Sequence, residues 1–275
     1  MTGSESRILE SKILGNDQIA REIYCMTLEY EGWESEMKPG QFVNLYLNDK
    51  SMILPRPVSI CEAEKGKLAL VYRIVGKGTE ALSSYAPGDI IRVSTPLGNG
   101  YDVTDIALRL GTDSSKTIVL AAGGLGVPPM LELAKSLRKA IEPNIKLTAV
   151  IGFQDEVFLC EELEQYCDSV LVATDNGSKG FHGNVLELMK AEGDPGDYYL
   201  ACGPKPMLKA VSDYCVEKNI PIQVSLEERM GCGYGACVGC TCRIKEENDE
   251  KVPFKLKKVC KDGPVFRGNE VVWDD

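Results

Sequence analysis

Five of the 11 cysteines lie beyond position 231, as Cys232, Cys237, Cys240, Cys242 and Cys260, while the other six are scattered. The first three of the cluster without Cys242 spell C-x4-C-x2-C, and Cys260 follows as a remote fourth. Thiolates spaced in this way suit a 2Fe-2S cluster, since a glycine-rich loop curls three of them around one side and a distant one closes the other. Gly231, Gly233, Gly235 and Gly239 fit that task, because backbone amides must approach the sulfides closely and some residues need positive φ. Four cysteines also satisfy structural zinc, although zinc ribbons carry two C-x2-C knuckles and this chain has one. Cys242 reads as a spare, shielded thiol, with a ligand swap against Cys240 left open. Cys25, Cys61, Cys160, Cys167 and Cys215 read as small core residues.

Acid-base chemistry has little to draw on. His182 is the single histidine, which excludes multi-histidine zinc sites, and its setting in Gly180-Phe181-His182-Gly183 is that of a loop residue. That scarcity points toward electron transfer, which relies on cofactors more than on proton shuttles. Several short motifs could hold such cofactors. Leu54-Pro55-Arg56-Pro57-Val58-Ser59 sets an arginine, a rigid proline and a hydroxyl at a strand start, where the arginine fork can meet a pyrophosphate. Gly76-Lys77-Gly78-Thr79 precedes a helix predicted over 80–85, with Thr79 as its N-cap and a free helix start as an anion site. Gly123-Gly124-Leu125-Gly126, between a strand and a helix, suits a dinucleotide although it departs from G-x-G-x-x-G. Cys202-Gly203-Pro204 closes another strand at the end where open α/β sheets bind ligands. Gln154-Asp155-Glu156 offers acids and no cation, which favours a ribose hydroxyl, hence NAD over NADP. Taken singly, a surface arginine, a plain cap, close helix packing and a tight turn explain these motifs without any ligand.

Three regions must position these residues. Apolar-polar runs at 7–14, 23–30, 41–47, 57–63, 68–75 and 89–94, punctuated by Gly and Pro, predict an N-terminal antiparallel β-barrel. From about 116, strands at 117–122, 147–153, 170–174, 198–202 and 222–226 alternate with helices at 128–140, 160–166, 185–191 and 206–218, predicting a parallel sheet with crossovers. Neither period persists after 226, and so small a segment depends on a metal centre and on its neighbours. The expected division is 1–107, 108–224 and 225–275.

In combination and in order, Arg56-Pro57-Val58-Ser59, Gly78-Thr79, Gly123 to Pro129, Cys202-Gly203-Pro204, Met230 to Cys237 and Val259 to Phe266 resemble the ferredoxin-NADP reductase superfamily. Within it the chain resembles the electron-transfer subunits of class 1B dihydroorotate dehydrogenases over nearly its whole length. The resemblance implies that Arg56, Pro57, Val58 and Ser59 line FAD, that Arg73, Ile74 and Val75 run beside it, and that Gly78 and Thr79 hold its pyrophosphate. Cys232, Cys237, Cys240 and Cys260 would hold the cluster, and Gly123, Gly124, Gly126, Cys202, Gly203 and Pro204 would receive NAD. It further implies a partner, the FMN-containing dihydroorotate dehydrogenase catalytic subunit, in a heterotetramer of two of each, with the cysteine segment facing it. One departure is Ser94-Thr95-Pro96-Leu97-Gly98, where relatives more often have Gly-Pro-Leu-Gly. A flavin subunit linked to ferredoxin or sulfur species, or a zinc-bearing adaptor without redox function, are the alternatives.

Composition agrees with an ordinary globular chain: 275 residues, 44% hydrophobic and 26% charged. A net charge of -10 argues against nucleic acid or an anionic membrane as the main partner. No apolar run reaches the ~18 residues of a bilayer span, and charges before position 16 do not fit a secretory signal, so a cytoplasmic protein is expected.

Overall fold

The computed structural model describes residues 7–31, 37–111, 116–141, 144–193, 196–246 and 254–273. Residues 1–6, part of the charged stretch before position 16, and 251–253, within the expected 225–275 segment, lie outside them. The N-terminal runs form β1 (Ile8–Ala20), β2 (Ile23–Glu29), β3 (Phe42–Tyr46), β4 (Arg56–Glu64), β5 (Lys67–Arg73) and, after helix α1 (Lys77–Ser83), β6 (Ile90–Ser94). They close as an antiparallel barrel in the order β1-β2-β5-β4-β3-β6. Alternation sends Ile13, Met26, Leu28, Val43, Leu45, Ile60, Leu70 and Val93 into its core, with Leu82 of α1 beside them. Strand β1 outruns its expected end at 14, because a register shift between Ile13 and Gly15 lets it bend and continue through the polar Asn16-Asp17-Gln18.

Helix α2 (Val103–Leu110), which the sequence reading left out, leads into the second region. There follow β7 (Thr117–Gly123), α3 (Pro128–Ala140), β8 (Lys146–Phe153), α4 (Cys160–Glu164), β9 (Ser169–Thr174), β10 (Phe181–His182), α5 (Val185–Glu192), β11 (Tyr198–Cys202), α6 (Lys205–Glu217) and β12 (Ile222–Ser225). The sheet runs β10-β9-β8-β7-β11-β12 in parallel. One hydrophobic cluster joins α2, α3 and α4 to one face, and a second joins α5 and α6 to the other. Strand order reverses between β7 and β11, so the turns after Gly123 and Cys202 meet at the switch point of a doubly wound sheet. His182 sits in the two-residue edge strand β10 rather than in a loop.

The C-terminal region holds more regular structure than its sequence suggests. Beyond the cysteine loop come an antiparallel pair β13 (Thr241–Lys245) and β14 (Phe254–Lys258), a short helix α7 (Val259–Asp262) and β15 (Val265–Arg267). β15 pairs antiparallel with β12 and becomes the seventh strand of the large sheet. Contacts between the regions include two near the 98–101 turn. Tyr101, fully buried, donates its hydroxyl to the Ala201 carbonyl at 2.8 Å, and Asn99 Nδ2 donates to the Lys261 carbonyl at 3.0 Å. Gly98 of the unusual Ser94–Gly98 turn has φ +75 and lies against the Gly263 carbonyl, where no side chain fits. No helix among the described residues is long and apolar enough to cross a membrane.

Candidate active site

The cysteine loop is held open by its own amides. The Tyr234 and Cys237 N–H groups each donate to Cys232 Sγ at 3.4 Å, and the Gly235 N–H donates to Cys260 Sγ at 3.2 Å. Gly233 and Gly235 adopt φ of 75° and 79°, which lets successive amides point inward. Side-chain contacts pair Cys232 with Cys237 and Cys240 with Cys260. Burial opposes ionisation of Cys232, but the Cys237 and Tyr234 amides outweigh it and bring the thiol down to about 6. Burial, then the facing Cys240, pushes Cys260 up to about 12. Among the described residues no three cysteine, histidine or acidic side chains converge on one point as the donors of a single ion do. Two thiol pairs, with amides aimed at one sulfur of each, Cys232 and Cys260, fit a two-iron cluster, which takes two ligands at each end. Cys242 stays outside this set, half-buried, with burial pushing it up to about 11. Cys61, Cys160, Cys167 and Cys215 are buried and Cys25 is half-buried.

The loop is clamped on both sides. The Val259 N–H donates to the Cys240 carbonyl at 2.8 Å, bringing α7 and Cys260 to the loop. From the barrel, Asn44 Nδ2 donates to the Cys232 carbonyl at 3.0 Å and the Tyr46 and Tyr234 hydroxyls meet at 2.6 Å. Sequence reading singled out neither Asn44 nor Tyr46.

Strand β4 carries Arg56, Pro57, Val58 and Ser59, and its alternation turns Val58 into the barrel core. Arg56 Nη1 donates to the Leu54 carbonyl at 2.6 Å, and its guanidinium has no carboxylate partner among the described residues. The guanidinium crosses directly over Gly78, and a Cβ there would collide with Arg56. A cation free of counter-charge, lying on a glycine at a helix start, fits a pyrophosphate. Thr79 is not the N-cap: α1 begins at Lys77 with Gly76 as cap, and Thr79 occupies the third helical position. Glycine needs no side chain to cap, which frees the Thr79 hydroxyl to accept from the Val75 N–H at 2.9 Å and to donate to the Gly76 carbonyl at 3.0 Å. Arg73, Ile74 and Val75 continue from β5; the Ile74 N–H bonds the Glu22 carbonyl, and Val75 is 80% exposed.

Between barrel and sheet lies a cleft of about 730 Å³. It brings together Arg73, Val75, Gly123, Gly124, Gly126, Gly203 and Pro204, but not Arg56 to Ser59, Ile74, Gly78, Thr79 or Cys202. Gly126 presses on the Cys202 carbonyl and Gly123 would place a Cβ 2.8 Å from Met207 Sδ, so bare backbone lines the switch point. Cys202 itself is driven up to about 12 by burial and acts as a neutral spacer. Asp155 and Glu156 also line the cleft, but they are engaged by Arg21, from the β1–β2 turn: its Nη2 meets Asp155 at 2.5 Å and its N–H donates to Glu156 Oε2 at 2.7 Å.

Comparison with known proteins decides among the readings. Residues 227–272 match the family model described as the iron-sulfur cluster binding domain of dihydroorotate dehydrogenase B. The chain is 37% identical over 265 residues to the dihydroorotate dehydrogenase B (NAD(+)) electron transfer subunit of Caldanaerobacter subterraneus subsp. tengcongensis, covering 96% of this chain and 98% of that one. The subunit of Bacillus caldolyticus is 39% identical over 277 residues, with 99% and 100% covered. The chain belongs to the dihydroorotate dehydrogenase B electron transfer subunit family. Among solved structures, a chain of an NADH-dependent reduced ferredoxin-NADP oxidoreductase, studied for flavin-based electron bifurcation, superposes with a TM-score of 0.81 at 29% identity, covering 100% of this chain and 92% of its own. The ferredoxin reductase of a carbazole 1,9a-dioxygenase shares the fold at 16% identity, with a TM-score of 0.65 over 82% of this chain and 70% of its own. The residues matched by the family model coincide with the cysteine loop and its flanking strands.

Proposed function

We propose that this chain passes electrons from a partner FMN subunit, which oxidises dihydroorotate to orotate, through a 2Fe-2S cluster and FAD to NAD+, in a cytoplasmic heterotetramer of two of each subunit. The observation that carries the reading is the cysteine loop, with amides aimed at Cys232 and Cys260, docked on the strand beside the Arg-Pro-Val-Ser motif. When bound, a flavin exchanges electrons singly or in pairs, a 2Fe-2S cluster singly and a nicotinamide as hydride, so the three together convert one-electron into two-electron chemistry. Residues 1–107 serve the flavin, 108–224 the nicotinamide nucleotide and 225–275 the cluster.

In this reading Cys232, Cys237, Cys240 and Cys260 hold the irons. Arg56 neutralises the FAD pyrophosphate over Gly78 and Thr79, Pro57, Val58 and Ser59 line its strand side, and Arg73, Ile74 and Val75 border it where the cleft opens. Gly123, Gly124 and Gly126 with Cys202, Gly203 and Pro204 leave backbone for NAD to approach, and Asp155 and Glu156, both engaged by Arg21, border the same cleft. The cysteine segment faces the partner.

Co-expression with an FMN subunit, followed by assay of orotate formation with NAD+ and with NADP+, tests the proposal. Cys237→Ser is expected to abolish dihydroorotate-dependent NAD+ reduction while leaving NADH oxidation by an artificial dye within about twofold. Equal loss of both activities, or a colourless protein holding zinc without iron or flavin, overturns it. The likeness to the ferredoxin-linked oxidoreductase favours a second reading, electron exchange with ferredoxin, which gains if no FMN subunit binds.

A further inference from the structure

Strand β3 belongs to two sites at once. Along one edge Leu45 pairs with Arg56 and Asn44 with Pro57, the first residues of the flavin motif. From the same strand, the Asn44 and Tyr46 side chains reach the cysteine loop through the Cys232 carbonyl and the Tyr234 hydroxyl. Asn44 is 0% exposed, its backbone N–H is taken by Ser94 Oγ at 2.9 Å, and its Oδ1 has no partner. A buried, half-satisfied amide costs stability, so its place here calls for a use. Gly233, held at φ +75, lies so close to the Asn44 amide that any side chain there would collide with it. Asn44 and Tyr46 therefore grip the peptide segment 232–234 from its start to its end. Within that segment the Tyr234 N–H donates to Cys232 Sγ at 3.4 Å.

Hydrogen bonds to the sulfurs are among the terms that set the potential of an iron-sulfur cluster, because they stabilise the added negative charge of the reduced state. We propose that Asn44 and Tyr46 are positioning residues that hold the Tyr234 amide on the Cys232 sulfur, and so raise the reduction potential of the cluster from the flavin strand's neighbour. This rests on the reading that Cys232, Cys237, Cys240 and Cys260 hold a 2Fe-2S cluster. Neither residue touches the irons in this account. Each acts through the backbone of the loop, and the length of the N–H to sulfur contact is the quantity it controls.

The test is a potentiometric titration of the full chain, isolated anaerobically with its cluster, followed by electron paramagnetic resonance and by iron and sulfide content. Asn44→Ala is expected to load iron normally and to lower the midpoint by about tenfold in the one-electron equilibrium, ~59 mV. Tyr46→Phe removes the Tyr46–Tyr234 bond, and Tyr234→Phe removes it together with the Tyr234 hydroxyl's interactions with Asn44 and Ser94. Tyr46→Phe is expected to lower the midpoint, Tyr234→Phe to lower it at least as much, and the double variant no further than Tyr234→Phe alone. Tyr85→Phe is the control, since its hydroxyl accepts from the Asn48 N–H elsewhere on the barrel, and it leaves the midpoint in place. Clusters loaded fully in all three positioning variants, with midpoints and spectra unmoved, overturn the proposal; if Asn44→Ala does not fold, the conservative tyrosine variants decide. An unsubstituted protein that takes up no iron removes the cluster reading, and this inference with it.

Discussion

A single methyl group at Gly78 would displace the Arg56 guanidinium, the one cation of the flavin motif. Gly78→Ala is therefore expected to weaken FAD binding at least tenfold, read by recovery of flavin fluorescence on dilution, because the buried glycine's new methyl meets the Arg56 guanidinium and must push it aside. Such a glycine is legible in a sequence, since its type and its place before a helix both advertise it. So are four cysteines at fixed spacing. Asn44, Tyr46 and Tyr234 were not legible: the partners stand 188 positions apart, and nothing local in a barrel strand indicates that its outward side chains meet another region. Asp155 illustrates the opposite case. Its acidic type was noticed, but Arg21, which engages it, is 134 positions away on a turn that reads as exposed.

Helix α3 and strand β4 join the two large regions, and their contact carries charge. Lys135, 5% exposed, bonds Glu62 Oε1 at 3.0 Å and faces Glu64 at 3.5 Å, and Glu132 accepts the Ala63 N–H at 2.9 Å. Burial raises the Glu132 carboxyl above its ordinary 4.5, more than the Ala63 amide and Lys135 lower it. A carboxyl whose folded value is raised favours the fold fully below its unfolded value and loses that contribution as pH rises through the folded one. Glu132→Gln keeps an acceptor for Ala63, so it is expected to raise the melting temperature at pH 7. The gain over the unsubstituted protein should shrink toward zero as pH falls to 4.5, in a thermal-shift series. At this scale the sequence was informative wherever one period ran long enough. Helix 128–140 appears as predicted, and β11 spans 198–202 as expected. The β13–β14 pair escaped because its Lys-rich strands bury little, and α2 because eight residues beside a turn show barely two helical turns.

The whole molecule is sewn together by its C-terminal region. β15 returns to pair Ser225 with Val265, Val224 with Phe266 and Gln223 with Arg267, and the Leu226 N–H bonds the Pro264 carbonyl at 2.9 Å. A chain stopped after Asp262 keeps all four cluster cysteines but lacks this strand. Its Val224 and Leu226 amides, which face β15, are expected to lose protection in hydrogen exchange by at least tenfold, while those of Gln223 and Ser225, which face β11, and those of β7 and β8 stay protected. Unchanged protection would mean that β12 is held by α6 and β11 alone. The large sheet was legible as a set of alternating segments; that its margin is supplied from beyond the cysteines was not, since three residues leave no periodic trace.

That return has a temporal side. During synthesis β12 emerges well before β15, and until the later residues leave the ribosome its outer backbone groups stand unmated, an invitation to neighbouring nascent polypeptides. The thiol-bearing loop lies in the interval between the two strands. Metal delivery and the sealing of the sheet margin thus fall in the same window of biogenesis, and a cell short of iron would be expected to accumulate molecules with that margin ajar.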